Sequence, residues 1–261
     1  MNSLILRREG PTALLILNRP PINALDREAL EELGLAVEEI RADRQTRVLV
    51  ITGGIEGIFC SGGDLKYWRQ VQNENEAGKT GRRVFAQIEQ LPKPTIAAIN
   101  GQVIGDGLAL ALSCDLRFAS PLATFRLPEV AYGFIPGWGL IRRLIASVGR
   151  THASEFLLTG QKVDASRAYT MGLLNEVVPA DSLMDEALKR SGRMAALSPA
   201  ALQAAKCVLR GGDEKACFEA VWSRNDRREG IDALLSKRTP VYGVHDQGGD
   251  GCDHIGRVQT D

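Results

Sequence analysis

Two short segments combine glycine and aspartate where an apolar run ends. The segment G-D-G at residues 105–107 follows the run T-I-A-A-I at residues 95–99, and G-G-D at residues 62–64 follows V-L-V-I at residues 48–51. Turns nearly free of side chains let backbone N–H groups approach a ligand oxygen, and the start of a helix favours negative charge there. Two such turns, each offering one N–H, are what an oxyanion hole requires.

The G-D-G turn alone has other interpretations. A dinucleotide fingerprint requires G-x-G-x-x-G, but Leu110 stands where the third glycine would follow Gly105 and Gly107. A strand-to-helix corner without a ligand is the plainer alternative, and the G-G-D segment is what favours the oxyanion hole. Serine hydrolysis is disfavoured because Ser61 lacks the G-x-S-x-G context.

The elements that must position these turns follow from apolar periodicity. Residues 4–6 and 13–17 read as two strands of a hairpin broken at Gly10-Pro11. From Asp26, apolar residues recur at helical spacing, which predicts a helix with one buried face; they are Leu30, Leu33, Val37 and Ile40. The polar stretch at residues 72–79 reads as a mobile excursion over the site.

Further along, the pattern predicts a strand from Lys93-Pro94 onward that enters a turn built from Gly101 and the G-D-G segment. Residues 117–119 and 123–126 read as short strands that end at Pro128. Beyond Pro136 the pattern is mostly helical, with breaks near residues 160, 172, 179 and 199.

Composition favours a soluble, globular enzyme subunit in the cytoplasm. The chain has 261 residues, is 44% hydrophobic and 25% charged, and carries no net charge, so neither nucleic acid nor a membrane is an expected partner. No apolar run is long enough to span a membrane, and no signal peptide is recognisable. The five cysteines are scattered without metal-ligand spacing, which predicts reduced thiols and no metal site.

Several ordered motifs together resemble the crotonase (enoyl-CoA hydratase/isomerase) family. They are N-R-P-P-I-N-A-L-D at residues 18–26, F-C-S-G-G-D-L at 59–65, I-N-G-Q-V-I-G at 99–105, L-P-E with G-F-I-P-G at 127–137, and D-R-R-E-G at 226–230. The resemblance extends from about residue 4 to about residue 242. Chance similarity would not keep these motifs in order.

The resemblance implies an α/β fold: a crotonase-like spiral of strand-strand-helix repeats in residues 1–198 carries the active site. A C-terminal helical region, residues 199–243, is then expected to form homotrimers or dimers of trimers. An apolar stripe at helical spacing supports this expectation; it comprises Ala201, Ala204, Ala205, Val208 and Leu209. Residues 244–261 lie outside the resemblance and are expected to be a disordered tail.

The same resemblance implies an acyl thioester substrate and a stabilised enolate. The two oxyanion donors are then the amides of Gly63 and Asp106, and Glu129 is the catalytic base. Asp106 departs from the glycine usual at its place, and we expect its carboxylate to point away and cap the following helix. Hydratases of the family use a second glutamate, but Ala109 stands at that position.

A single glutamate favours double-bond isomerisation of an enoyl thioester. A specialised hydratase, an acyl-thioester decarboxylase and a non-catalytic acyl-CoA-binding protein remain open alternatives. No bound cofactor is expected, since coenzyme A or a carrier protein's phosphopantetheine is part of the substrate. Candidate substrate-binding residues surround the two turns, with a lysine to meet a CoA phosphate and aromatic pocket walls; they are Ser61, Lys66, Tyr67, Trp68, Tyr132 and Trp138.

Overall fold

The computed structural model describes residues 3–71 and 74–243, with side chains throughout except those of residues 74–77. These residues form ten strands: β1 Leu4–Glu9, β2 Thr12–Leu17, β3 Val48–Gly53, β4 Ile58–Cys60, β5 Thr95–Ile99, β6 Gln102–Ile104, β7 Leu116–Ala119, β8 Thr124–Arg126, β9 Val163–Asp164 and β10 Glu176–Val177.

The same residues form ten α-helices and one turn of 3₁₀-helix at Glu129–Tyr132. The α-helices are α1 Arg27–Ala42, α2 Leu65–Trp68, α3 Glu74–Glu89, α4 Asp106–Ser113, α5 Leu140–Thr159, α6 Ala165–Thr170, α7 Leu183–Ala195, α8 Pro199–Leu209, α9 Glu214–Trp222 and α10 Asn225–Leu235. No helix among the described residues is long and apolar enough to cross a membrane.

The strands build two sheets that the chain visits alternately. The larger sheet has the order β1-β2-β3-β5-β7-β10, and the smaller one has the order β4-β6-β8-β9. Three times in succession, a strand of the larger sheet leads to a strand of the smaller sheet and then to a helix, starting at β3, β5 and β7. The strand-strand-helix repeat expected from the resemblance is therefore present.

The predicted N-terminal elements are confirmed. β1 and β2 pair antiparallel across the Gly10-Pro11 turn, and β2 then pairs with β3 in parallel. Helix α1 begins after Asp26, whose side chain accepts a hydrogen bond from the amide of Ala29, as an N-cap should. The four apolar residues that predicted α1 are all buried.

Two predictions about local structure are wrong. The polar stretch at residues 72–79 was expected to be an excursion, but α3 begins at Glu74; residues 72 and 73 lie outside the described part of the chain. Strand β5 does not feed the G-D-G turn directly, because β6 intervenes in the other sheet. Gly101 lies at the corner between the two strands, against the backbone of Gly57, away from the turn that it was expected to help build.

The last helices are attached to the sheets by a cluster of charged groups. Lys206 of α8 donates to the carbonyl of Lys93 at 2.7 Å and pairs with Asp115 at 2.6 Å, and Arg210 pairs with the other oxygen of Asp115 at 2.9 Å. Asp115 also accepts from the amide and hydroxyl of Thr95 at the start of β5. This cluster anchors α8 to the start of β5, the strand that leads toward the site.

Candidate active site

The first glycine turn follows β4 and is held against the segment before α1. The amide of Leu25 donates to the carbonyl of Gly62 at 2.7 Å, and the amide of Asp64 donates to the carbonyl of Leu25 at 2.9 Å. Gly62 has a φ of 79°, which a glycine adopts without strain. The N–H of Gly63, between these bonds, has no acceptor among the described residues and is available to a ligand.

Arg19 joins the residues that flank this turn. Its guanidinium donates to Asp64 at 3.0 Å, to the carbonyl of Ala24 at 3.0 Å, and to Asp26. Asp26 caps α1 and Asp64 caps α2 through the amides of Lys66 and Tyr67. Burial alone would raise the pKa of Asp64, but these hydrogen bonds hold it below its ordinary value. Because its charge is already shared by two carboxylates, Arg19 is a poor candidate for a CoA phosphate.

The second turn precedes α4 and touches the first. Gly105 has a φ of 53°, and its N–H donates to the carbonyl of Arg126 on β8 at 3.0 Å. A Cβ added at Gly62 would lie 2.8 Å from the amide nitrogen of Asp106, so the two turns are in contact. The N–H of Asp106 likewise has no acceptor in the part of the chain that the structure describes. Two free amides at neighbouring turns have the arrangement that an oxyanion hole needs.

The expectation that Asp106 caps α4 is wrong. Asp106 is the first residue of the helix, and Gly105 occupies the N-cap without a side-chain bond. The Asp106 carboxylate instead accepts a hydrogen bond of 3.0 Å from the amide of Gly137. It therefore points toward the segment that follows the 3₁₀-helix rather than back along its own helix.

Glu129 reaches the same turn from the other side. It is only 6% exposed, and a Cβ at Gly105 would collide with its Oε1 atom. Its Oε2 atom is buried and has no hydrogen-bond partner among the described residues. Buried carboxylate oxygens normally have partners, so this one is available to a bound substrate.

The electrostatics of the site favour neutral carboxyl groups. Burial raises the pKa of Glu129 above its ordinary value. Burial, and then the nearby charge of Glu129, raise the pKa of Asp106 to about 7, although the hydrogen bond from Gly137 opposes the shift. Burial also raises the pKa of the Cys60 thiol to about 12, which makes Cys60 a poor nucleophile.

Ala109, at the position of the missing second glutamate, belongs to the hydrophobic core. Its side chain is fully buried on the all-buried stretch of α4, and its carbonyl accepts a bond of 2.8 Å from the hydroxyl of Ser113. The second turn is nevertheless bordered by two carboxyl groups, those of Asp106 and Glu129.

Two of the predicted aromatic residues connect the turns behind the site. The indole nitrogen of Trp68 lies against Gly63, where an added Cβ would collide with it. The Trp68 ring contacts the Trp138 ring at a centroid distance of 5.6 Å, and Trp138 packs edge-on against Phe85 at 5.2 Å. Trp138 is 3% exposed and follows Gly137, the partner of Asp106. It supports the site from the core.

The other candidate residues lie at different distances from this centre. Tyr67 is half-buried and packs edge-on against Trp68 at 5.9 Å. Ser61 lies in the first turn, where its hydroxyl oxygen is buried without a partner among the described residues. Lys66 on α2 is exposed, and Tyr132 at the end of the 3₁₀-helix is 69% exposed, so neither is fixed toward the turns by a contact.

Two contacts of the site were not predicted from the sequence: the hydrogen bond from Gly137 to Asp106, and the ion pairs of Arg19 with Asp26 and Asp64. Gly137 was recognised only as part of the G-F-I-P-G motif, and its bond to Asp106 spans 31 positions in sequence. The signal for Arg19 was the pair of aspartates at helix starts, Asp26 and Asp64, because two N-cap carboxylates at neighbouring turns attract a shared cation.

Comparisons with known proteins identify the family of the chain. The sequence profile described as "Enoyl-CoA hydratase/isomerase" matches residues 7–245. The 2,3-dehydroadipyl-CoA hydratase of Escherichia coli K12 is 39% identical over 253 residues, covering 93% of this chain and 99% of that relative. The short-chain-enoyl-CoA hydratase of Clostridium acetobutylicum is 33% identical over 251 residues, covering 91% and 96%.

A solved structure confirms the expected crotonase-like fold. The enoyl-CoA hydratase from Bacillus anthracis superposes with a TM-score of 0.88 at 35% identity, covering 92% of this chain and 98% of that one. Family profile, relatives and fold all point to the same family. The chain therefore belongs to the crotonase family, the enoyl-CoA hydratase/isomerase family.

Proposed function

We propose that the protein moves the double bond of a 3-enoyl thioester from the β,γ to the α,β position. The thioester carbonyl would lie between the amides of Gly63 and Asp106, which stabilise the negative charge of the enolate. Glu129 would remove the α-proton, since its Oε1 atom adjoins the second turn and its Oε2 atom is buried without a partner among the described residues. Protonation at the γ-carbon would complete the shift.

The observation that carries this proposal is the replacement of the second glutamate by a buried alanine. Hydration requires one group to activate water and another to protonate the α-carbon, whereas isomerisation needs only one base at the α-proton. Ala109 has no acid–base chemistry and is fully buried. This favours isomerisation over the two-glutamate route to hydration.

Hydration of a 2-enoyl thioester is the second candidate function. Two relatives bear hydratase names, and Asp106 adds a carboxyl group that a glycine at this position would not provide. A decarboxylase and a non-catalytic acyl-CoA-binding protein have no comparable support. For the non-catalytic reading, Glu129 would have to be paired away from the turns, and its Oε2 atom is unpartnered within the described residues.

The thioester is proposed to be delivered by coenzyme A or by a carrier protein's phosphopantetheine. Lys66 is exposed one helical turn from Gly63, where a point charge would suit a phosphate of either group. Ser61, Tyr67, Trp68 and Tyr132 are the proposed substrate contacts, with Trp138 as their support. Burial of Trp138 limits it to the wall behind Trp68.

The deciding experiment compares two substrates on two carriers. Purified protein is assayed with matched 2-enoyl and 3-enoyl thioesters, each attached to CoA and to a carrier protein. Migration of the 3-enoyl double bond at a higher kcat/KM than hydration of the 2-enoyl thioester is the expected result. Fast hydration without migration would replace the first candidate by the second, and the better carrier identifies the delivery group.

A further inference from the structure

Two carboxyl groups border the second oxyanion amide, although the missing glutamate at Ala109 leaves only one expected base. Asp106 supplies the amide itself, and its side chain is held by the N–H of Gly137 at 3.0 Å. Glu129 lies against Gly105, the residue immediately before Asp106, and Glu129 is 6% exposed. Both groups therefore adjoin the place where the thioester carbonyl is proposed to bind.

No cation compensates this pair in the described part of the chain. Neither carboxylate forms a salt bridge there, and Glu129 Oε2 has no hydrogen-bond partner. The other titratable group that interacts with Asp106 is the Cys60 thiol, which burial keeps neutral. Two uncompensated carboxyl groups that border the same turn resist double ionisation, so the pair retains a proton near neutral pH.

We infer that Asp106 is a second proton-carrying residue of this site and that it shares one proton with Glu129. This inference rests on the proposed isomerisation. Glu129, ionised, takes the α-proton of the substrate, and Asp106, protonated, gives its proton to the γ-carbon. Asp106 thus supplies a second carboxyl group from the same helix, α4, in which Ala109 replaces the glutamate of the hydratases.

The proton and electron balance closes within the pair. When the C2–H bond breaks, its proton goes to Glu129 and its electron pair moves into the carbonyl, giving a dienolate on the oxygen held by the two amides. The carbonyl then re-forms, the double bond shifts to C2–C3, and the γ-carbon takes the proton of the Asp106 O–H bond. A proton transfer from Glu129 to Asp106 restores the starting state.

Two substitutions of Asp106 distinguish a proton-carrying role from a positioning role. Asp106→Asn keeps an oxygen that can accept from Gly137 and keeps the oxyanion amide, but it carries no exchangeable acid proton. A positioning role predicts that Asn restores the activity that Asp106→Ala loses. A proton-carrying role predicts that both variants lose roughly 100-fold or more in migration rate, as general-acid losses do.

The decisive readout is the fate of an isotope. A 3-enoyl-CoA deuterated at C2 is converted in H₂O in a single turnover, and deuterium at C4 of the product is measured by mass spectrometry. The two-carboxyl route predicts a solvent proton at C4 in the natural protein, and deuterium transferred to C4 in the slow turnover of Asp106→Asn. Deuterium at C4 with the natural protein, or an unchanged rate in Asp106→Asn, would overturn the inference.

A measurement without substrate keeps this result independent of the proposed function. Carbon-13 NMR of the Asp106 carboxyl group is followed against pH in the natural protein and in Glu129→Gln. A shared proton predicts a midpoint well above that of an ordinary aspartate, falling by about one pH unit or more in the variant. An ordinary or unchanged midpoint refutes the pair even in an active isomerase, whereas the predicted titration in a protein that moves no double bond refutes only the isomerisation.

Discussion

Glu129 is the proposed catalytic base, and its buried Oε2 atom has no hydrogen-bond partner among the described residues. Glu129→Gln keeps the shape of the side chain and removes its basicity. Double-bond migration should therefore fall by roughly 100- to 10,000-fold, the range of general-base losses. Thioester binding should persist, because both oxyanion amides remain, and calorimetric titration with a non-reactive acyl-CoA measures this.

A matched control for Glu129 is Glu155→Gln. Glu155 is an exposed residue of α5 that pairs with Arg167 and lies outside the two turns. The Glu155→Gln substitution should leave the migration rate unchanged. Migration at the natural rate in a folded Glu129→Gln protein would remove Glu129 from the mechanism.

The raised pKa of Asp106 has a consequence for stability. The unfolded chain releases this proton near pH 3.8, whereas the folded protein retains it to about pH 7. Between these values the folded state binds more protons, so this group makes stability fall as pH rises, and the full penalty is present above pH 7. Asp106→Asn lacks the penalty and keeps the acceptor for Gly137.

We therefore expect Asp106→Asn to be more stable than the natural protein at pH 8, by about 1 to 3 kcal/mol. The full shift, at about 1.4 kcal/mol for each pKa unit, would give about 4 kcal/mol, but solvent screens the partly exposed Asp106 side chain. The difference should shrink through pH 6 and vanish near pH 4. Urea denaturation at these three pH values measures it. An equal difference at all three would show that the substitution acts through packing instead of titration.

At the level of residues, the sequence motifs named candidates that lie close together in the structure, but they did not predict the contacts of those candidates. Glu129, Gly63 and Asp106 were named from motifs, and the structure places them around two adjoining turns. The direction of the Asp106 carboxylate was wrong, because local rules favour capping while the actual donor, Gly137, comes from a distant segment. No local pattern encodes such a tertiary bond.

Among the elements, the turn between β4 and α2 allows the most direct test of the oxyanion hole. Gly63→Pro removes one donor N–H, but any Cβ at Gly63 also meets the Trp68 indole. Gly63→Ala is the matched control, since it adds the Cβ and keeps the N–H. We expect proline to lower kcat by about 100- to 1,000-fold relative to alanine, the usual loss for one oxyanion donor.

Both Gly63 variants must first be shown to fold, by circular dichroism and thermal melting. Displacement of Trp68 is common to the two proteins, so they differ in the donor and in the fixed φ of proline, which the folding measurements check. Equal turnover in the alanine and proline variants would mean that the Gly63 amide does not stabilise the transition state.

Arg19, in the segment between β2 and α1, braces the same turn. Arg19→Gln leaves the Asp26 and Asp64 carboxylates without their shared cation, and both are less than one-third exposed. We expect a loss of about 1 to 3 kcal/mol in the free energy of unfolding. Turnover should also fall, because Asp64 directly follows the Gly63 amide.

Arg167→Gln is the control for Arg19, because its ion pair with Glu155 is exposed on both sides. Such pairs contribute about 1 kcal/mol or less. Denaturation midpoints and kcat of the two variants are compared. Similar small effects of both substitutions would show that Arg19 is an ordinary surface charge.

Elements with strong periodicity were predictable, and the short strands β7 and β8 were also predicted, but β6, β9 and β10 were not. Helix α1 and the hairpin of β1 and β2 follow from apolar spacing over many residues. Strand β6 has three residues and β9 and β10 have two each, too few for a period to show. The start of α3 at Glu74 was missed because its sequence is polar there, and tertiary contacts can override such local signals.

For the whole molecule, the open question is what covers the C-terminal helices. The α8 stripe proposed for assembly is divided, since Ala204 is buried within the chain while Ala201, Ala205 and Leu209 are exposed. Larger apolar side chains are exposed on α9 and α10, among them Phe218, Trp222, Leu234 and Leu235. Apolar patches of this kind mark interaction surfaces. We propose that residues 199–243 form the interface of a homotrimer or of a dimer of trimers.

The last prediction tests this assembly. Sedimentation should give the mass of a trimer or a hexamer, for the full chain and for a chain ending at Gly243, because the exposed apolar side chains of α9 and α10 precede that point. Phe218→Glu replaces the ring that stacks with Trp222 at 5.4 Å by a charged carboxylate. Each large side chain removed from water contributes about 1.5 to 3 kcal/mol, so the variant should dissociate at lower concentration.

Leu35→Glu is the matched control, because Leu35 is 68% exposed on α1, outside the C-terminal helices. Its sedimentation should equal that of the natural protein. Circular dichroism of Phe218→Glu distinguishes dissociation from unfolding, since Phe218 is 61% exposed and contributes little to the core of its own chain. A natural protein that sediments as a monomer would contradict the proposed role of these helices, and dissociation by Leu35→Glu would move the interface to α1.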